Sequence, residues 1–458
     1  MEALRFRFSP LRYAFAKAVG TFYPAVFISR AGCLAYGDVP EPALPGPDWV
    51  KVETRLGGIC GSDLNLISLR DSPALSVFSS FPFVIGHENV GIVRETGANV
   101  SELRPGQRVV VDPLLPCAAR DYAHQCKNCR AGDPSRCLRF AEGALAPGLL
   151  IGSCRDTGGS WGEVFVAHRE QVIPVPDNVS DENALLAEPL GCALHAVDVA
   201  GRPEGKSVLV IGGGVIGLCT VAALRLMAPG CRIIALVRHP FQADMARRLG
   251  ADEVLMPRGK DVYPTVAQAL GAKLLRPVLG PPVFVGGADV VYECAGSDRA
   301  LADALRFAAP GGQVVLLGLA AMPRGIDWSF VWLKELQIQG VFAAGSVRTE
   351  AGTVPSIKLA IDLFAEGKLD LSPLVTHRFP FRDYRRALAT VTAKRSSGCL
   401  KAVFVAPAHE AALKAGGTAT GQSSGESSHA GGSESSQAAG SEPGASGGES
   451  AAGLERAS

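Results

Sequence analysis

What this sequence lacks most visibly is an excess of charge of either sign. Its 45 Lys and Arg face 44 Asp and Glu, a formal net charge of +1. A chain so balanced offers no overall electrostatic footprint for nucleic acid or an anionic membrane, and neither is expected as a partner. It also has no apolar run long enough to span a bilayer. Its first twenty residues alternate basic and apolar positions. They have neither the continuous apolar core of a secretory signal nor the serine content of a transit peptide. They read as a first strand and turn of the folded body, and the expected compartment is cytoplasmic. No internal repeat is visible.

The chain of 458 residues is long enough for two domains with ordinary cores. Its apolar fraction of 47% and charged fraction of 19% suit a soluble globular protein. In a chain this large without a secretory signal, twelve cysteines suggest metal ligands or buried thiols rather than disulfides. Cys117, Cys126, Cys129 and Cys137 crowd one short segment, while the others are scattered.

The texture changes near residue 200. Before it, short β-type runs such as 50–54 and 107–111 are punctuated by Gly and Pro, as in a mainly β domain. After it, strands expected at 207–211, 232–237, 288–292 and 313–317 alternate with helices expected at 218–227 and 242–249. That alternation predicts a parallel sheet covered by helices. Between 258 and 287 the spacing lengthens around Pro277, Pro281 and Pro282, as in an insertion or long surface loop. From 407 the composition collapses to Gly, Ser, Ala and Glu, which predicts a disordered tail at 407–458.

Gly212-Gly213-Gly214-Val215-Ile216-Gly217 follows an apolar β-branched run and opens a helix, the setting a dinucleotide-binding loop requires. Gly212 permits the tight turn, Gly214 lets the backbone approach a pyrophosphate, and Gly217 lets helix and strand pack closely. The helix start at Val215 and Ile216 then offers free N–H groups to the phosphates. About twenty residues on, an NAD-binding unit usually carries a carboxylate for the ribose hydroxyls. Here the chain reads Val237-Arg238-His239. A cation suits a 2′-phosphate better, which predicts a preference for NADP; a solvated loop arginine is the plainer reading.

The spacing Cys126-x2-Cys129-x7-Cys137, with Cys117 upstream, supplies four thiolates for a closed tetrahedral zinc site. A redox pair is the competing reading of the C-x-x-C step, and the two further cysteines argue against it. Cys60, His87-Glu88 and Glu188 form a second, dispersed group. Taken singly, each has an ordinary explanation: a buried thiol, a loop histidine, a carboxylate before Pro189.

These motifs carry a family resemblance. Gly58-Ile59-Cys60-Gly61-Ser62-Asp63, then Gly86-His87-Glu88-x-x-Gly91, the cysteine lobe and the Gly212 loop occur in the order of the medium-chain zinc alcohol dehydrogenases. The resemblance runs from about 30 to 406 and is nearest the sorbitol and threonine dehydrogenase branch, because Ala187-Glu188-Pro189-Leu190 resembles that branch's third metal position. It implies an α/β fold with a Rossmann domain at 196–344. A mainly β GroES-like catalytic domain would occupy 1–195, with the zinc lobe at 117–137, and resume at 345–406.

The resemblance also implies roles. Cys60 and His87 match ligands of a catalytic zinc, and Glu188 matches the third, with Cys192 as a fallback. Glu88 matches the residue that can bind the metal in its place. Asp63 matches the carboxylate that orients a metal-bound imidazole, and Ser62 the hydroxyl that bonds substrate oxygen. Lys401 matches a basic position near the cofactor pyrophosphate, or is a solvated strand-end lysine. Gly212, Gly214, Val215, Ile216, Gly217, Arg238 and His239 would hold the cofactor.

The implied reaction is hydride transfer between NAD(P) and an alcohol, polyol or amino alcohol, or the matching carbonyl, with one catalytic and one structural zinc. A homo-oligomer, dimer or tetramer, is implied as well. A zinc-independent double-bond reductase and a non-catalytic cofactor sensor are the alternatives. The sequence departs from the family at Asn65, where a relay histidine is usual. It departs again at Ala123, where the lobe's first cysteine usually sits. Residues 140–158 match no substrate motif.

Overall fold

The spine of the first half is the strand Trp49–Gly58, in which buried Val50, Val52, Thr54 and Leu56 alternate with more exposed residues. That period of two is what a strand with one face on a core requires. In the computed structural model, which describes residues 1–419, this strand pairs antiparallel with Asn89–Thr96, Val164–His168 and Lys401–Val405. Lys401–Val405 in turn runs parallel to Val375–Pro380. Strands Arg108–Val111 and Val172–Pro174 complete this seven-stranded sheet. The chain therefore leaves the β-rich body and returns to it.

Between departure and return lies a six-stranded sheet, all of whose pairings are parallel. Its order is 253–255, 232–236, 207–211, 288–293, 308–316, 337–340. Both faces are buried: Val208 and Val210 belong to one apolar cluster, Leu209 and Ile211 to another, as expected where helices cover a parallel sheet on both sides. The order reverses between 207–211 and 288–293, and in such sheets ligands bind outside the strands' carboxyl ends at that switch point.

The helix Asp181–Val199 joins the two regions. The Ser180 hydroxyl caps it by accepting from the Asn183 N–H at 3.2 Å. Leu186, Leu190 and Leu194 share a cluster with Leu56 and Val90 of the first sheet, with Val208 of the second, and with Leu218 on the helix Val215–Met227 that covers it. Glu188 is thereby carried to the junction.

Three expectations need correction. After the strand Glu2–Phe6 the chain forms not a turn but a helix, Pro10–Gly20. Residues 258–287 are not a bare loop: they hold the helix Val262–Ala269 and a hairpin of Lys273–Leu275 with Val283–Val285. The tail expected from 407 begins as a helix, Pro407–Ala419; its remainder lies outside the described residues. Residues Met1–Leu413 form one compact unit. Among the described residues no helix is long and apolar enough to cross a membrane.

Candidate functional site

Cys60 sits where the strand Trp49–Gly58 gives way to the helix Gly61–Ile67. The Cys60 N–H donates to Asp63 Oδ2 at 2.8 Å, so Asp63 caps the helix that follows the thiol. Its other oxygen, Oδ1, lies 3.4 Å from His87 Nδ1. One carboxylate thus fixes both the thiol's backbone and the imidazole's orientation. Burial alone would lower the His87 pKa, but Asp63 and Cys60 outweigh it and raise it.

Asn89 holds the backbone behind the imidazole. Its amide donates to the His87 carbonyl at 3.0 Å and the Val111 carbonyl at 2.8 Å, and its oxygen accepts from the Val111 N–H at 2.8 Å. Nothing in the sequence singled Asn89 out; it bonds only backbone atoms, and its partner Val111 lies on a strand 22 residues away. Gly58 leaves room for the neighbouring carboxylate, since a Cβ there would collide with Glu88 Oε2.

Ligand atoms of Cys60, His87 and Glu88 lie within 4.8 Å of one another. A thiol, an imidazole and a carboxylate at that spacing are a donor set suited to zinc. Glu188, the third ligand by resemblance, is not in this group, although it is buried nearby. Burial and neighbouring Glu88 push its carboxyl up to about 7 against the opposing effects of His87, Cys192 and Lys401. Its Oε1 accepts from the Cys192 thiol at 3.3 Å, so the fallback ligand is its hydrogen-bond partner.

The second cluster holds all four lobe cysteines, with their sulfurs within 4.8 Å of one another. Tetrahedral zinc with Zn–S of about 2.3 Å places sulfurs roughly 3.8 Å apart; Cys117 Sγ and Cys137 Sγ are 3.7 Å apart. The fit identifies a structural zinc site, and His124 is not needed in it. Burial pushes the Cys126 thiol up, but N–H groups of Cys129, Leu138 and Asn128 outweigh it and hold the thiol well below its ordinary value.

The detour that displaces Cys117 from its usual place is held by Arg120. This fully buried guanidinium donates to the carbonyls of Leu115 at 3.0 Å, Glu142 at 2.7 Å, Leu145 at 3.2 Å, Ala146 at 3.3 Å and Gly148 at 2.7 Å. The stretch from 140, opaque in the sequence, is in part the other half of this bonding.

The Gly212 loop joins Ser207–Ile211 to the helix Val215–Met227. Gly212 has φ +117°, and a Cβ on Gly217 would strike the Gly212 carbonyl. Gly213 is closed in by Gln242 and Val237, whereas beside Gly214 only Lys394 Nζ comes near, 3.8 Å from where a Cβ would stand. This is a backbone cradle open on one side, and it fits a dinucleotide pyrophosphate.

Lys401, expected there, turns elsewhere. It is 3% exposed, forms an ion pair with Glu88, and donates to the Ile59 carbonyl at 3.1 Å. Lys394 takes its place at the loop, and burial and then Lys401 lower its pKa, with Cys399 opposing. A lysine within Ala393-Lys394-Arg395 carries no motif that could have announced this.

Arg238 is exposed and has no ion pair among the described residues. The Arg238 and His239 N–H groups donate to Gln242 Oε1 at 3.1 and 3.2 Å. Burial and then the cations Arg238, Arg395 and Lys394 lower the His239 pKa. Ser62 is partly buried beside Cys60. Asn65 donates to the Leu319 carbonyl at 3.5 Å.

Comparison with known proteins agrees with this geometry. Residues 46–177 match the alcohol dehydrogenase GroES-like domain, and residues 215–358 match the zinc-binding dehydrogenase family. The chain is 30% identical to an L-threonine 3-dehydrogenase of Anaeromyxobacter, over 78% of this chain and 92% of the relative. It is also 30% identical to the L-idonate 5-dehydrogenase of Vitis vinifera, over 78% and 88%. A zinc-binding dehydrogenase of Sinorhizobium meliloti, solved with NADP, superposes with a TM-score of 0.61 at 28% identity, covering 81% of this chain and 95% of that one.

Proposed function

This chain belongs to the zinc-dependent medium-chain alcohol dehydrogenase family, and from that premise we propose that it transfers hydride between NADP(H) and an alcohol, polyol or amino alcohol, or the matching carbonyl compound. The observation that carries the proposal is the convergence of Cys60, His87 and Glu88 within 4.8 Å. We read 1–195 with 345–406 as the catalytic domain and 196–344 as the cofactor domain.

Bound zinc supplies a Lewis acid for the substrate oxygen, and bound nicotinamide carries the hydride. Cys60 and His87 would hold the metal, with Glu88 or Glu188 completing the set. Asp63, by accepting from His87 Nδ1, leaves Nε2 free as the ligand atom and fixes the ring's direction. Ser62 would hold the proton at the substrate oxygen. Asn65 has no titratable proton, so the proton leaves without a relay base at that position.

Support for NADP comes from the cations. Val237 is buried where NAD-binding units carry a carboxylate. Arg238, Lys394 and Arg395 all act on His239, and no acid is among the groups that shift it. A 2′-phosphate would neutralise such a cluster. The Sinorhizobium relative was solved with NADP.

The double-bond reductase alternative has no use for two clusters of metal ligands. A screen of alcohols, polyols and amino alcohols with both cofactors, run on wild type and on His87→Ala, tests the proposal.

A further inference from the structure

Averaged over the chain, the net charge of +1 conceals a local segregation. Between residues 3 and 37 stand Arg5, Arg7, Arg12, Lys17 and Arg30, with no Asp or Glu. None of the five has an ion pair among the described residues; Arg12 and Lys17 donate to the backbone carbonyls of Arg30 and Leu69 instead. Burial, and then the charges of Arg12 and Arg5, lower the Arg7 pKa, as crowded like charges do. Arg385 adds a further cation at the margin, donating to the Ile28 carbonyl at 3.3 Å.

The same segment turns its large apolar side chains outward. Leu11 is 84% exposed, Phe15 50%, Phe22 79% and Tyr23 72%. On the helix Pro10–Gly20, Leu11 and Phe15 are four residues apart and share a face; Phe22 extends that stripe just beyond the helix end. Phe8, 43% exposed, flanks it, with its ring 5.0 Å from Phe81 and 5.9 Å from Tyr13. The inner side is firmly seated: Ala16 is buried, and Tyr13, Val26, Phe27 and Ile28 pack against the apolar cluster around Leu4, Phe6 and Phe83. The outward stripe is therefore held in place by a packed base, not turned out by fraying.

We propose that this N-terminal segment is a docking surface for an anionic lipid bilayer. Aromatic and leucine side chains rimmed by Arg and Lys match the two components of interfacial binding: apolar groups enter the headgroup boundary while the cations meet lipid phosphates. The long basic side chains can lie along the apolar surface and keep their charged ends at headgroup level. A two-fold contact with a second copy is the weaker fit, because it would set the same unneutralised cations against themselves. The surface lies outside the metal and dinucleotide sites, so docking and turnover are separable.

The test is co-sedimentation of the full-length protein with vesicles. Phosphatidylcholine vesicles containing phosphatidylserine are compared with pure phosphatidylcholine, at low and high salt. The expected result is binding to the serine-containing vesicles alone, weakened by salt. Neutralising Lys17→Gln or Arg30→Gln should lower the partition constant by about fivefold each. Leu11→Ser with Phe15→Ser should abolish binding while thermal unfolding and dinucleotide affinity stay unchanged. Failure to bind, or equal binding to both kinds of vesicle, overturns the proposal. So does a Leu11→Ser, Phe15→Ser variant that changes the oligomeric state and leaves lipid binding intact, which assigns the stripe to a second copy.

Discussion

Lys401 and Glu88 form a buried ion pair that ties the returning strand Lys401–Val405 to the metal-ligand cluster. Both side chains are almost wholly shielded, at 3% and 1% of their accessible surface. Removing one partner of such a pair leaves an uncompensated buried charge, typically at a cost of about 3–5 kcal/mol. Lys401→Met should lose stability on that scale, and Glu88→Gln combined with Lys401→Met should recover much of it. Urea denaturation of the single and double variants measures the coupling. Additive losses would mean that the two charges do not stabilise each other.

The lobe makes a separate prediction. Cys129→Ser should release one zinc per chain, by metal analysis, and lower the melting temperature. His124→Ala should keep the metal, since the four sulfurs already make a closed set. Loss of zinc from the His124 variant would contradict the four-sulfur site.

Asp112 supplies a test by pH. Burial raises its carboxyl from 3.8 to about 6, opposed only by its bond from the Leu114 N–H. The folded state then binds more protons than the unfolded state between those values, so stability falls as pH rises through the window and is level above it. Asp112→Asn keeps an oxygen for the Leu114 N–H and removes the buried charge. It should gain on the order of 2 kcal/mol above pH 6, with the gain vanishing near pH 4. Melting curves across that range check it, and a gain independent of pH would contradict it.

Several features of fold and site were legible in the sequence because their physics is local. The Gly212 loop needs residues without a Cβ at successive positions, and the β-branched runs of the parallel sheet announce themselves by composition. Cys60 and His87 could be named only through resemblance, since their meeting depends on strand pairing across a long separation. What stayed hidden is of the same kind. Arg120 binds carbonyls, which leave no mark in a sequence, and Asn89 works through backbone atoms. Lys401 and Lys394 lie seven residues apart, and only the fold decides which of them faces the Gly212 loop.

The proposed preference for NADP rests on the cations near His239. Arg238→Ala should reduce kcat/KM for NADP by about tenfold to a hundredfold, from the loss of one charge-assisted bond, and leave NAD nearly unaffected. Lys394→Ala, removing the cation beside Gly214, should weaken both cofactors. Equal kcat/KM for NADP and NAD in the wild type would contradict the preference.

The central claim is that hydride transfer depends on the metal held by Cys60 and His87. Its most direct test is the rate of reduced-cofactor formation with the best alcohol in a panel, compared between wild type and His87→Ala. The variant is expected to lose at least about a hundredfold in kcat, with dinucleotide affinity unchanged because the Gly212 loop is built independently of that histidine. A His87→Ala enzyme turning over at near wild-type rate would contradict the account.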